Sequence, residues 1–156
     1  MRFILLVALL LLPAPALAQF WSHYSNDLFR YEIDIPPGFE GNGETAGGEG
    51  QWFYNLEAEQ GLTIWGARFP GSFERSIIDG AAAIRSEGWA ITEQSSTPEW
   101  ATLAAMRDHR LIFQRSILLC DRKSYAAFRA EFNIRDLGKM GDILGGLSRS
   151  FVPKGC

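Results

Sequence analysis

The chain has 156 residues, with 15 basic and 18 acidic side chains for a net charge of −3, and 47% of it is hydrophobic. That charge is too mild to dictate a nucleic acid or an acidic membrane as partner. The length is that of a single domain with one sizeable core.

Residues 1–18, MRFILLVALLLLPAPALA, read as a secretory signal peptide. Arg2 is the positive n-region, Phe3 to Leu12 the apolar stretch, and Ala16-Leu17-Ala18 a small-x-small triplet that predicts cleavage between Ala18 and Gln19. The apolar run is short for a bilayer span. A retained anchor is the alternative, and the cleavage triplet speaks against it. No cysteine follows the apolar stretch, as a lipoprotein would need. The expected product is one domain over residues 19–156, periplasmic or secreted and not membrane-spanning. It carries 14 basic and 18 acidic side chains, unevenly spread: four basic and thirteen acidic from Gln19 to Trp100, ten basic and five acidic from Ala101 to Cys156. Two halves folding against each other would largely neutralise this; an anion-facing second half is the functional alternative.

The first strand is predicted in NDLFRYEIDIPPGF, where Phe29, Tyr31, Ile33 and Ile35 alternate with Arg30, Glu32 and Asp34. Pro36-Pro37-Gly38 ends it. EGNGETAGGEG then reads as a turn-rich loop. The runs QWFYNLE (51–57) and LTIWGARF (62–69) flank AEQG as a hairpin. Ser72 is a credible helix N-cap; Phe73, Ile77, Ala81 and Ile84 recur at helical spacing, and Gly88 stands where the helix should end. Strands are expected at 89–94, 99–107, 111–120 and 124–132. A closing helix carries Leu137, Met140, Leu144, Leu147 and Phe151 on one stripe, with Pro153 beyond it. Consecutive hairpins with one inserted and one C-terminal helix predict an α+β fold, a mostly antiparallel sheet with helices packed on it.

Cys120 and Cys156 both lie in the exported part. Two cysteines allow one internal pairing, and an oxidising compartment makes it available. A structural bridge is the expectation; intermolecular or free thiols, or a redox role without a CxxC partner, are the alternatives.

No catalytic or metal signature emerges. Glu40, Glu44 and Glu49 are too loosely spaced for a calcium loop, so they read as a solvated loop. His23 and His109 belong to no zinc spacing, and no metal or cofactor is expected. Ser72, Ser76, Ser116 and Ser148 lack a GxSxG elbow or SxxK motif, which leaves a hydrolase with a dispersed site as the weakest reading. Gly138, Gly141 and Gly145 share a helix face and are expected to let the last helix approach its own sheet. Arg115 and Arg129 fall within apolar strands joined by a short turn, a candidate basic patch for an anionic ligand or acidic partner, with an internal salt bridge as the alternative. Trp65 and Trp100 join them as candidate binding residues, because tryptophan anchors interfaces; most of the aromatics are expected as core or sheet cover, and any that line an open groove would suit partner binding.

Three features together resemble the PsbP-like superfamily, which includes the Mog proteins: the strand YSNDLFRYEIDIPPGF, the order strands, helix, strands, helix over about residues 20–152, and a terminal helix closing on LSRSF. The resemblance implies an α/β/α sandwich around an antiparallel sheet and a binding or assembly role rather than an activity. No metal- or partner-binding residue of the family matches a position here. Exported relatives often have NGDG after the first strand, and this chain has GNGETAGGEG. The reading is an envelope protein-interaction module, with an envelope protein as partner. A carrier of a small molecule or lipid, with an aromatic-lined cavity between sheet and helix, is the alternative.

Overall fold

The computed structural model describes residues 20–156, so the signal-peptide reading and the junction at Ala18 and Gln19 lie outside the described residues. The elements are β1 (Ser22–Asn26), β2 (Tyr31–Ile35), β3 (Glu40–Glu44), β4 (Gly50–Asn55), β5 (Gln60–Arg68), α1 (Phe73–Ser86), β6 (Ala90–Ser96), β7 (Trp100–Arg107), β8 (Arg110–Leu118), β9 (Ser124–Asn133), α2 (Leu137–Ser150) and β10 (Val152–Pro153). Seven strands make one antiparallel sheet in the order β3-β4-β5-β9-β8-β7-β6, and β1-β2-β10 make a small second sheet. This is the α+β fold that the element order predicts, and its layering is the sandwich that the family resemblance implies.

Side-chain alternation sorts the large sheet into two faces. In β9, Ala126, Phe128, Ala130 and Phe132 point to one side, where Met140, Leu147 and Phe151 join Tyr31, Ile33 and Ile35 of the small sheet in the main core. On the other side α1 lays Ala81 and Ile84 over Trp89, Leu103, Ala105 and Ile112. Ser72 accepts from the Arg75 amide at 3.2 Å to start α1. Gly88, at φ 87°, ends it with its amide on the Arg85 carbonyl, a left-handed position that suits glycine. The chain leaves β5, crosses the sheet as α1 and re-enters at the far edge as β6. One helix therefore covers only the β6–β8 half of that face.

The small sheet differs from expectation and explains the first motif. Only Tyr31–Ile35 is strand, and Phe29 lies in the turn with its ring on Gly66, where any Cβ would overlap it. β1 precedes that turn, and β10 follows α2; both form by pairing to β2. The supposed loop after Pro36-Pro37-Gly38 contains β3, whose glycine-rich sequence has little strand propensity of its own and is held by β4.

Fully buried Asn26 ties these pieces together. Its amide donates to the Gly48 carbonyl at 2.8 Å, to a Glu44 carboxylate oxygen at 3.2 Å and to the Tyr24 hydroxyl at 3.3 Å, while its own oxygen accepts from the Phe29 amide at 2.8 Å. Tyr24 donates to the same Glu44 oxygen at 3.0 Å. Glu44 is therefore a structural acceptor at the end of β3 rather than a loop residue, although it remains exposed. Glu49 is exposed, and its bond with Thr45 holds its carboxyl below the usual range.

Cys120 and Cys156 form a disulfide, with 5.3 Å between Cα atoms and 36 residues of separation. It ties the tail to the β8–β9 turn. The glycine expectation fails: a Cβ at Gly138 or Gly141 meets nothing within 4 Å, because that side of α2 faces outward. Gly146 instead receives the Trp21 ring.

Candidate functional site

The half of the large sheet that α1 leaves uncovered is floored by β4, β5 and β9. Its register sets Trp52, Thr63, Arg129 and Gln114 in one row across the strands. The adjacent row is Tyr54, Gly61 and Glu131. Trp52 is 54% exposed and Tyr54 39%. They meet edge to face at 6.4 Å between centroids. Gly61 lies beneath them, leaving the floor bare below both rings.

Arg129 stands at the border with α1. Its Nε donates to Gln114 Oε1 at 3.0 Å, and Nη1 lies 3.7 Å from a carboxylate oxygen of Glu87, the residue that caps α1. Its guanidinium carbon is 5.9 Å from the Trp65 ring centroid. Next to it Arg110 Nε donates to Glu131 at 3.1 Å, and Arg110 Nη2 to the Glu59 carbonyl at 3.0 Å. The face thus combines rigid aromatic surface with forked cations held in place, the composition that anchors protein interfaces.

The two arginines do not form one patch. Register pairs Arg115 with Phe128 and Arg129 with Gln114, so they project to opposite faces. Trp65 goes with Arg129, and Trp100 with Arg115, whose guanidinium lies 4.8 Å over the indole. Arg115 stands opposite Thr102, one of the residues lining an open groove of about 470 Å³ over β6–β8. Arg115 Nε is buried without a partner, and burial lowers the arginine's pKa.

Trp52 and Tyr54 are the residues of this face that sequence reading did not single out. The signal was present: in QWFYN the two rings alternate with Phe53, which is buried on the other face. Both edges of the sheet, by contrast, are polar and irregular, with register shifts at Gly41/Glu44 in β3 and Ile91/Glu93 in β6. Such bulges discourage strand addition.

Elsewhere, a cleft of about 560 Å³ opens between the start of α1 and the β6–β7 turn, with Phe69, Phe73, Ile77 and Leu118 beside Ser72 and Thr97. On the outer face of the small sheet, His23 lies between Asp34 (Nδ1 at 2.9 Å) and Glu32 (Nε2 at 3.6 Å), so both ring nitrogens face carboxylates. His109 is exposed in the β7–β8 turn. Among the described residues no cluster of three or more His, Cys, Asp or Glu has metal-binding geometry.

No protein-family model matches the chain, and no curated protein matches it in sequence. Solved structures do match in shape. The chain is similar to cyanobacterial PsbP (CyanoP) from Synechocystis sp. PCC 6803, with 13% identity over 90% of this chain and 96% of that one and a TM-score of 0.66. It is also similar to the Ran-binding protein Mog1p of Saccharomyces cerevisiae, with 9% identity, 87% and 96% coverage and a TM-score of 0.63. The chain has the fold that these two proteins share.

Proposed function

We propose that this protein is an exported, non-enzymatic interaction or assembly module that docks an envelope protein on the open half of its large sheet. The observation carrying this reading is the exposed Trp52–Tyr54 pair beside Arg129 on a rigid sheet whose edges are blunted. Large aromatic side chains left in water cost solvation free energy that a partner recovers. The fold is shared with a Ran-binding protein, which supports the same class of role by analogy of fold. Export is supported by the N-terminal sequence pattern and by a disulfide between exposed cysteines, as expected in an oxidising compartment. Among the described residues no helix is long and apolar enough to cross a membrane.

The test is cross-linking of the tagged protein in intact envelopes, with mass spectrometry of what co-purifies. One stoichiometric envelope partner is expected, retained by Arg115→Glu and lost with the double change Trp52→Ala and Tyr54→Ala or with Arg129→Glu. A partner that survives both losses docks elsewhere, and no partner at all refutes the reading. The apolar cleft at the start of α1 favours the carrier alternative, which a thermal shift on adding an apolar ligand, abolished by Ile77→Glu, would support.

A further inference from the structure

A second cleft, of about 410 Å³, opens at the opposite end of the β8–β9 hairpin from α2's start, between the β1–β2 turn, the end of β5 and the disulfide-tied tail. Its apolar surface comes from Leu28, Phe29 and Leu119, and its charges are Arg30, Arg68 and Asp121. The volume falls within the range of small-molecule sites.

The charges are not balanced within the cleft. Asp121 is already engaged: Oδ1 accepts from the Lys123 and Ser124 amides, each at 2.9 Å, and Oδ2 from the Ser124 hydroxyl at 2.8 Å. Asp121 is held low, against the burial that raises it, first by those Lys123 and Ser124 bonds and then by the charge of Arg68. Neither Arg30 nor Arg68, however, has a carboxylate within 4.0 Å among the described residues, whereas Arg75, Arg110, Arg122, Arg129 and Lys154 do. Two guanidinium forks with no carboxylate in direct contact, 38 positions apart in sequence, therefore border one cavity that holds a single, already hydrogen-bonded carboxylate. The wider hollow by the start of α2 also contains two cations, Arg135 and Lys139, but there Glu40, Glu57 and Asp136 outnumber them.

The rim is also held in shape. Arg30 sits in the left-handed region at φ 58°, its carbonyl accepting from the Lys154 amide at 2.8 Å. Its guanidinium lies across Gly155, where any Cβ would overlap it. The Cys120–Cys156 bond fixes that tail, so it fixes the surface against which Arg30 rests. A fork held before the ligand arrives loses less entropy on binding.

We propose that this cleft binds an anion carrying an apolar body, a medium-chain monocarboxylate in its simplest form: the forks take the carboxylate and the Leu28–Phe29–Leu119 surface takes the chain. The site shares no residue with the open sheet face, so it stands or falls separately from the docking reading.

The experiment is an NMR titration of the isotope-labelled, oxidised protein with octanoate, and with 1-octanol and inorganic phosphate as separate probes. Octanoate should shift amides of residues 28–30, 68, 119–124 and 155, more tightly than either other probe. Arg30→Gln and Arg68→Gln should each weaken binding by about tenfold or more, the usual scale for a charge-assisted hydrogen bond. Both side chains belong to exposed residues, so neither change removes core; Arg68→Lys, keeping the charge without the fork, should fall between. The proposal is overturned if octanoate leaves these amides unmoved, if octanol or phosphate binds as tightly, or if both glutamine variants bind like the parent.

Discussion

Replacing Asn26 by alanine tests whether one buried side chain joins the small sheet to the β3–β4 hairpin. The change removes four hydrogen bonds and leaves two half-buried backbone groups, the Phe29 amide and the Gly48 carbonyl, without their partner. An unsatisfied buried group costs about 1–3 kcal/mol. Two of them, with partial collapse of the site, put the loss at about 3–5 kcal/mol. For a domain of this size that lowers the melting temperature by about 10–20 °C. Urea denaturation at pH 7 followed by circular dichroism would measure it, with an unchanged m-value as the check on two-state behaviour. Asn26→Asp keeps the shape but sets a carboxylate against the Glu44 carboxylate and the Gly48 carbonyl, and should be at least as damaging. A loss under about 1 kcal/mol for alanine would mean that water or a local shift replaces the network, and the junction would be held by packing alone. The consequence reaches the docking face, because the same hairpin carries Trp52 and Tyr54.

Gly66→Ala should cost about 1–3 kcal/mol by overpacking against Phe29; a Phe29→Ala partner change that restores nothing in a double-mutant cycle would show that the contact is not the cause. Reducing the disulfide, or Cys120→Ser with Cys156→Ser, should lower stability by about 3–4 kcal/mol on the loop-entropy estimate for a separation of 36 residues. An unchanged urea midpoint would rule that out. Burial, the largest cause, raises the pKa of Tyr31 and of Tyr24 above the unfolded value of 10.0. Their contribution is therefore complete below pH 10 and lost as pH rises beyond it. Tyr31→Phe should lose about 1 kcal/mol at pH 7, where its bond to the Glu49 carbonyl goes, yet decline less above pH 10. Parallel decline of both proteins would show that phenol ionisation is not responsible.

Where the sequence was legible, one local period decided the structure. Both helices could be read from apolar spacing and, for α1, from the Ser72 cap and Gly88 stop. β4 to β9 followed from apolar runs between turn residues. The failures share a cause. β1, β3 and β10 have sequences SHYSN, EGNGE and VP, without an apolar period; they are strands only because partners distant in sequence pair with them. The candidate site failed in the same way. That Arg115 and Arg129 lie on adjacent strands was legible, but their opposite faces depend on the register across the Asp121–Arg122 turn, and a shift of one residue reverses every side chain. Trp65 and Arg129 share a face by register, and that face is open because α1 stops short of it, a matter of helix placement that no local window contains.

Arg115 turns that geometry into a final prediction. Its Nε is buried with no partner, burial lowers its pKa, and its favourable contact is the face of Trp100 at 4.8 Å. Exposed cation–π pairs contribute about 0.5–1 kcal/mol, while an unsatisfied buried donor costs about 1–3 kcal/mol. The balance is against the arginine as a stabilising residue. Arg115→Met, which keeps the stem length and the contact with the ring, should leave stability unchanged or raise it by up to about 1 kcal/mol. Arg129→Met should do the opposite, losing its bond to Gln114 and its pairing with Glu87, at about 1 kcal/mol. Urea midpoints of the two variants decide the comparison. A marked loss for Arg115→Met would mean that the rest of the guanidinium is satisfied at the surface and that the residue is structural. Equal or greater stability would mean that the fold tolerates an arginine it does not need for folding, beside an open groove on the face opposite Trp52, and the next variant to carry into the envelope cross-linking would be Arg115→Met itself.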